Sequence, residues 1–182
     1  MVEVLIAIIA FVPALISNSL AVVFGGGKPI DAGRTWRGRR ILGDGKTWRG
    51  LLGGGLGAGL IGVTVERISE IYFSTNIYPD FPYSLLVILT FSFGALFGDI
   101  GASFIKRRRG VSRGEKFPLL DMFDFVIGAF LLSILLNTQW TLEIYFNGNG
   151  WIATAILIIV VPLLHRSVNI IGYKLGLKNE PW

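Results

Sequence analysis

Three aspartates lie where the surrounding sequence is almost wholly apolar. Asp99 stands inside a run that ends near residue 105, and Asp121 and Asp124 stand at the start of the next apolar run. A charged side chain near the centre of a membrane-spanning helix costs about 2.5 to 3.5 kcal/mol. The three carboxylates are therefore expected to face protein, water or a cation rather than lipid, which makes them candidate functional residues.

The sequence near these aspartates also supplies a hydroxyl group and cations. At about 100° per residue, Asp99, Ser103 and Lys106 fall within about 60° of one another on a helix, and Asp121 and Asp124 share a face. A short connection makes the two helices antiparallel neighbours and would bring Asp99 toward the pair. Carboxylate oxygens beside Lys and Arg suit a complex of Mg²⁺ with a polyphosphate.

Each aspartate also has a structural interpretation. It could form a buried ion pair with Lys106, Arg107 or Arg113, or offset the dipole at the start of a helix. For Asp121 or Asp124 taken singly, this interpretation stands level with a functional one. The three together favour a shared site, because structural ion pairs need no common location.

The apolar residues that surround the aspartates are gathered into long runs. Hydrophobic residues make up 52% of the 182 residues, and charged residues make up 16%. A helix needs about 20 apolar residues to cross a bilayer. The sequence therefore predicts an all-α membrane protein, one domain over residues 1–182, with five transmembrane helices. The predicted spans are residues 4–24, 50–73, 83–105, 119–137 and 151–173.

The second run is unusual because it is rich in glycine. In a bilayer, small residues spaced four apart let another helix backbone approach closely. We therefore expect this run to form a tightly packed central span. The glycines are Gly50, Gly53, Gly54, Gly55, Gly57, Gly59 and Gly62.

The distribution of basic residues predicts the orientation of the chain. Of the 17 Lys and Arg residues, all but Arg67 lie in residues 28–49, 106–116 and 166–178. Five spans place these segments on one side, and the positive-inside rule assigns that side to the cytoplasm. We expect a multi-pass protein of the cell membrane, with the N-terminus outside and with the C-terminus and the active site toward the cytoplasm. Residues 74–82 and 139–150 are expected to be outer connectors.

The first basic segment combines glycine, hydroxyl and cationic residues. Residues 45–50 read Gly-Lys-Thr-Trp-Arg-Gly and precede the second span. Backbone N–H groups in glycine-rich loops can bind phosphate, and cations neutralise its charge. This favours substrate contact by Lys46, Thr47 and Arg49, whereas topology and attraction to anionic headgroups explain most other basic residues taken singly. A Walker P-loop is excluded, because its first glycine would fall at Arg40.

Two further polar residues lie within apolar runs. For Asn18, a hydrogen bond between helices is the favoured interpretation and ligand contact is the alternative. His165 is interpreted as an interface residue rather than a catalytic one. The chain has no cysteine, so a bound metal would be held by oxygen ligands.

Several of these residues resemble, in order and approximate spacing, the signature of the CDP-diglyceride synthases, the membrane phosphatidate cytidylyltransferases. They are Gly98, Asp99, Ser103, Lys106, Arg107, Pro118, Asp121 and Asp124. The first loop, with Lys28-Pro-Ile-Asp and residues 38–50, looks like the archaeal branch of that family, the CDP-archaeol synthases. The chain departs from the bacterial pattern at residues 115–120, which replace a stretch rich in glycine and histidine, and at Met122, which replaces an arginine.

The resemblance implies transfer of CMP from CTP to an isoprenoid ether-lipid phosphate, 2,3-bis-geranylgeranyl glycerol 1-phosphate, with release of pyrophosphate. It implies that Asp99, Asp121 and Asp124 hold Mg²⁺ and that Lys106 acts beside them. The expected partners are CTP, the lipid phosphate and membrane lipids, with no nucleic acid and no obligate protein partner. Residues expected to contact the nucleotide are Lys28, Lys46, Thr47, Arg49, Ser103 and Arg107.

Two other classes of protein also place carboxylates in membranes. A CDP-alcohol phosphatidyltransferase usually spaces its aspartates four apart after a D-G-x-x-A-R run, whereas Asp121 and Asp124 are three apart and that run is absent. A cation transporter or channel would not need the Gly-Lys-Thr-x-Arg-Gly loop. Both remain alternatives to the cytidylyltransferase.

Overall fold

The computed structural model describes residues 1–112, 115 and 117–177. This part of the chain forms seven helices and one short β-hairpin. The helices are α1 (Val2–Ala10), α2 (Val12–Val23), α3 (Trp48–Phe73), α4 (Tyr83–Arg108), α5 (Pro118–Leu136), α6 (Thr138–Tyr145) and α7 (Gly150–Lys174). The hairpin pairs β1 (Thr35–Trp36) with β2 (Arg39–Arg40) in antiparallel register.

Five helical segments are long and apolar enough to cross a membrane. They are α1 with α2 as one span, then α3, α4, α5 and α7. This confirms the five predicted transmembrane helices, and the observed ends lie within three residues of the predicted ones. The agreement follows because the length and apolarity of a span are local properties of the sequence.

The structure adds two details to the predicted all-α architecture. The first loop contains a hairpin of two-residue strands, and Arg37 and Gly38, which both take positive φ, form its tight turn. The predicted connector at residues 139–150 contains most of the short helix α6. This helix buries Thr141 and Tyr145, which lie four residues apart on one helical face.

The first span is broken at Phe11, two residues before Pro13, which has no backbone N–H to donate. Buried tyrosines bind two carbonyl groups next to the break. The hydroxyl of Tyr145 donates to the oxygen of Ala7 at 2.8 Å, and that of Tyr78 donates to the oxygen of Ala10 at 3.0 Å. Burial raises the pKa of both tyrosines, so both stay protonated as donors.

Aromatic side chains fill the core around this break. The ring centroids of Phe11 and Phe91 are 5.3 Å apart, and those of Phe130 and Tyr145 are 5.0 Å apart. Both pairs pack edge to face, which is favourable for aromatic rings. This cluster joins the start of α2 to α4, α5 and α6 and closes one half of the bundle.

Helix α3 packs through its glycine face and exposes leucines on the other. A Cβ added to Gly54 would lie 2.8 Å from the Cβ of Ala21 on α2, and one added to Gly55 would overlap Phe93 on α4. Leu56 and Leu60 are exposed. The close packing matches the prediction, but α3 lies at the edge of the bundle and not at its centre, because its packing partners are α2 and α4.

Helices α4 and α5 approach each other most closely at glycines beside the aspartates. A Cβ added to Gly98 would lie 2.1 Å from the backbone oxygen of Asp124. One added to Gly128 would lie 2.3 Å from the oxygen of Gly94 and 2.5 Å from the Cα of Gly98. The two backbones are therefore in direct contact, and only glycine fits there.

This contact predicts different outcomes for two glycines of α4. Gly98→Ala should lower the stability by about 1–3 kcal/mol, because the methyl group must push the helices apart. Gly101→Ala is the matched control, since an added Cβ there meets nothing within 4 Å. Thermal unfolding in detergent measures both variants. Equal midpoints would show that the α4–α5 contact tolerates a side chain.

Candidate active site

A cavity of about 500 Å³ lies between α2, α4, α5 and α7. Its two walls differ in chemistry. Apolar side chains of α2 and α7, among them Leu15, Ile16, Leu164 and Val168, form one wall. The other wall, from the first loop, α4 and α5, carries the charged residues Lys46, Asp99, Lys106, Asp121 and Asp124. The cavity thus joins a charged pole to an apolar surface.

Two lysines neutralise two of the three aspartates. Lys46 Nζ lies 2.5 Å from Asp99 Oδ2, and Lys106 Nζ lies 2.7 Å from Asp121 Oδ1. The other oxygen of Asp121 accepts the backbone N–H of Phe117 at 2.9 Å. Removing one partner of such a partly buried pair destabilises the protein, because the remaining charge is poorly solvated and has no counter-charge.

Asp124 is the most buried of the three, with 7% of its surface exposed. Its Oδ1 accepts the backbone N–H of Phe125 at 2.6 Å. Asp99, Lys46 and Lys106 all lie within electrostatic reach of this carboxylate. The cavity lining therefore carries four carboxyl groups, including that of Glu115, but only two lysines, which pair with Asp99 and Asp121.

The predicted stripe of Asp99, Ser103 and Lys106 does not form one surface of the cavity. Lys106 reaches across to Asp121 on α5 instead of lying beside Asp99. Ser103 is buried and lies outside the cavity lining. The helical spacing was right, but packing against α5 decided which side chains meet.

The donor set of the cavity suits a hard divalent cation in its chemistry. The acidic groups are carboxylates, which are the ligands that Mg²⁺ prefers, and they line one cavity. Across residues 1–112, 115 and 117–177, however, no three acidic or histidine side chains stand close enough together to hold one ion. Two of these carboxylates, those of Asp99 and Asp121, are instead paired with lysines.

Five predicted site residues lie outside the cavity lining, namely Lys28, Thr47, Arg49, Ser103 and Arg107. The hydroxyl of Thr47 caps α3 by accepting the N–H of Gly50 at 3.1 Å. Arg107 donates to the backbone oxygen of Ser112 at 3.3 Å, while Lys28 and Arg49 are exposed. Nucleotide contact by these residues stays a prediction.

Other polar residues line the cavity without having been predicted as site residues. Asn18 Oδ1 is buried, and the described structure gives it no hydrogen-bond partner, so the helix–helix bond favoured from the sequence does not form there. Ser19, Glu115 and Asn169 also reach the cavity. Asn18 and Asn169 could have been recognised from the sequence, because each is a polar residue inside an apolar run.

Asp31 organises the first loop around itself. Its carboxylate accepts from the guanidinium of Arg40 at 2.8 Å and from the N–H groups of Gly33, Leu42 and Gly43 at 3.0 to 3.1 Å. Hydrogen bonding to Arg40 holds the pKa of Asp31 well below its usual value of 3.8. The stabilisation is therefore complete at neutral pH and is lost only as the pH falls below that value.

The first loop positions Lys46 in the cavity, just before α3 begins. The backbone N–H of Ile30, next to Asp31, donates to the oxygen of Lys46 at 2.8 Å. The N–H of Trp48 donates to the oxygen of Lys28 at 3.2 Å. The two segments that flank the loop are thus paired at the start of α3, and Lys46 is held by backbone contacts on either side.

Known proteins are similar to this chain over nearly its whole length. The family described as CarS-like, CDP-archaeol synthase, matches residues 1–182. A CDP-archaeol synthase of Methanosarcina mazei is 48% identical, with 94% of this chain and 99% of the relative covered. One from Picrophilus torridus is 44% identical, with 98% and 97% covered.

The chain belongs to the CDP-archaeol synthase family. A solved structure of an intramembrane enzyme for archaeal membrane lipids biosynthesis is also similar, with a TM-score of 0.66 and 37% identity over 90% of this chain and 92% of that one. Membership confirms the predicted enzyme class, a membrane cytidylyltransferase. It disfavours both the phosphatidyltransferase and the transporter.

The arrangement around Asp31 predicts different outcomes for the two acidic partners of Arg40. Asp31→Asn should loosen the first loop and speed its cleavage by trypsin, because several buried hydrogen bonds lose their charged acceptor. Asp44→Asn is the control, since Asp44 pairs with the same arginine at 2.6 Å but its side chain is 61% exposed. Equal cleavage rates in the two variants would contradict the central role of Asp31.

Proposed function

We propose that the enzyme transfers CMP from CTP to 2,3-bis-geranylgeranyl glycerol 1-phosphate, with release of pyrophosphate. The observation that carries this proposal is the cavity itself, in which carboxylates and lysines meet an apolar wall within the membrane-spanning bundle. A lipid phosphate and a nucleotide triphosphate need such a place to meet. Membership of the CDP-archaeol synthase family supports the choice of substrates.

The chemistry needs charge neutralisation more than a base. A lipid phosphomonoester is already anionic near neutral pH, so one of its oxygens can attack the α-phosphorus of CTP without losing a proton to the protein. The new P–O bond forms as the bond from the α-phosphorus to the bridging oxygen breaks, and pyrophosphate takes the electron pair. We assign Lys46 and Lys106 to the phosphate groups, because both ammonium groups already line the cavity.

We further propose that Asp99, Asp121 and Asp124 hold Mg²⁺. When bound, the ion would supply positive charge that offsets the negative charge of the reacting phosphates. Both lysine ion pairs could exchange partners when ligands bind. In each pair the carboxylate can also bind a metal ion, and the ammonium group can also bind a phosphate. On this proposal the lysines turn to the phosphates when substrate and metal arrive.

The lipid and the nucleotide reach the cavity from different sides in this proposal. The isoprenoid chains lie along the apolar faces of α2 and α7, and CTP enters from the cytoplasm. The first loop (residues 28–49) and the end of α4 (residues 106–109) support this orientation, because they contact each other on one side of the bundle and carry 11 of the 17 Lys and Arg residues. The N-terminus is then outside, and the C-terminus cytoplasmic, in the cell membrane.

The reaction is tested with detergent-purified enzyme, CTP labelled at its α-phosphate, Mg²⁺ and the lipid phosphate. We expect label in the lipid fraction, and its loss when EDTA removes the metal. Asp99→Asn, Asp121→Asn and Asp124→Asn should each abolish transfer while the protein stays folded. No label with any ether- or ester-linked lipid phosphate would overturn the proposed reaction, and near-normal rates in two of the variants would return those aspartates to a structural role.

Asn18 offers a test of whether the cavity binds substrate. Asn18→Leu should lower kcat/KM by about tenfold, the loss of one hydrogen bond to a ligand, without lowering the unfolding temperature. The contrast is Asn137→Leu, because Asn137 Nδ2 donates to Thr90 Oγ1 at 2.8 Å and its loss should destabilise the fold. A less stable but fully active Asn18→Leu enzyme would assign Asn18 to structure.

A further inference from the structure

Arg108, at the end of α4, holds the first loop through several hydrogen bonds. The guanidinium of Arg108 donates to three backbone oxygens of the hairpin: Nη1 to Trp36 at 2.5 Å, and Nη2 to Arg40 at 2.6 Å and to Arg39 at 3.2 Å. The side chain of Arg39 returns the contact by donating to the backbone oxygen of Arg108 at 3.1 Å. The planar fork of an arginine can reach several acceptors at once, which a lysine cannot.

Aromatic rings complete this contact. The rings of Trp36 and Phe104 stack with centroids 5.9 Å apart and an interplanar angle of 17°. The guanidinium carbon of Arg108 lies 5.1 Å from the centroid of the tryptophan ring and 5.5 Å from that of the phenylalanine ring. The hairpin is therefore fixed to α4 by hydrogen bonds, stacking and cation–π contacts together.

A continuous set of contacts leads from this hairpin to Lys46. Arg40, whose backbone oxygen binds Arg108, pairs through its side chain with Asp31 at 2.8 Å. The residue before Asp31, Ile30, donates its backbone N–H to the oxygen of Lys46 at 2.8 Å. Lys46 then contacts Asp99 at 2.5 Å. The loop therefore contacts α4 at two places, because Arg108 and Asp99 both belong to this helix.

We propose that Arg108 is a positioning residue for nucleotide binding, which docks the first loop so that the ammonium of Lys46 stands in the cavity. This inference rests on the proposed function, in which Lys46 binds a phosphate of CTP. Arg108 itself lies outside the cavity lining and contacts the loop rather than the substrate. Arg108 therefore affects catalysis indirectly, by fixing the position of Lys46.

A double-mutant cycle tests this dependence. Arg108→Ala should raise the KM for CTP about tenfold and leave the KM for the lipid phosphate nearly unchanged, because a misplaced loop loses a charged phosphate contact. In an enzyme that already carries Lys46→Ala, the same change should have little further effect. An equal factor in both backgrounds would show that Arg108 acts independently of Lys46, which would overturn the proposal.

Two variants separate geometry from charge. Arg108→Lys keeps the positive charge but loses the fork, so we expect it to behave like Arg108→Ala. Arg34→Ala removes the same charge from an exposed side chain of the same loop and should leave the KM for CTP unchanged. Recovery of the native KM in Arg108→Lys would assign the effect to charge alone and contradict the positioning role.

Cleavage of the loop by trypsin gives a readout that does not need the proposed reaction. Arg108→Ala and Arg108→Lys should both speed cleavage between residues 34 and 49, whereas Lys46→Ala should not loosen the hairpin. Unchanged cleavage in both Arg108 variants would overturn the docking itself. An inactive native enzyme whose loop still loosens in these variants would instead contradict the proposed function and leave the docking intact.

Discussion

The backbone contact between α4 and α5 decides where the rest of the active site stands. Gly98 immediately precedes Asp99, and the atom that a side chain at position 98 would strike is the backbone oxygen of Asp124. The closest approach of the two helices and the meeting of their carboxylates are therefore the same place. Antiparallel helices with larger residues there would stand further apart, and the carboxylates would no longer share one cavity.

Bringing carboxylates together inside a membrane creates a charge that must be balanced. Lys106, from the last turn of α4, and Lys46, from the first loop, each neutralise one of these aspartates. Each lysine reaches its aspartate on a long, flexible stem that carries the charge inward from the end of the bundle. Such contacts neutralise the site without closing it, which leaves room for substrates that are themselves charged.

One half of the bundle forms the packed core, and the other half contains the candidate active site. The half opposite the cavity is closed by the aromatic cluster around Phe11 and by tyrosines that cap the carbonyl groups at the helix break. The other half contains the cavity, into which Asn18 reaches with an Oδ1 atom that has no hydrogen-bond partner in the described part of the chain. Regions that must admit ligands are commonly less well packed than the core that supports them.

The sequence by itself determined the five spans, the charged segments between them and the candidate carboxylates, because length, apolarity and charge are local properties that need no fold to be read. Only the tertiary structure decided which lysine pairs with which aspartate. Lys46 and Asp99 are 53 residues apart, and Arg108 is 68 to 72 residues from the hairpin residues that it binds. The same holds for Ser103, which shares a helical face with Asp99 but lies outside the cavity lining, and for Asn18, whose Oδ1 has no hydrogen-bond partner among the residues that the structure describes. Helical periodicity tells which side chains share a face, but the packing of distant segments decides what that face meets.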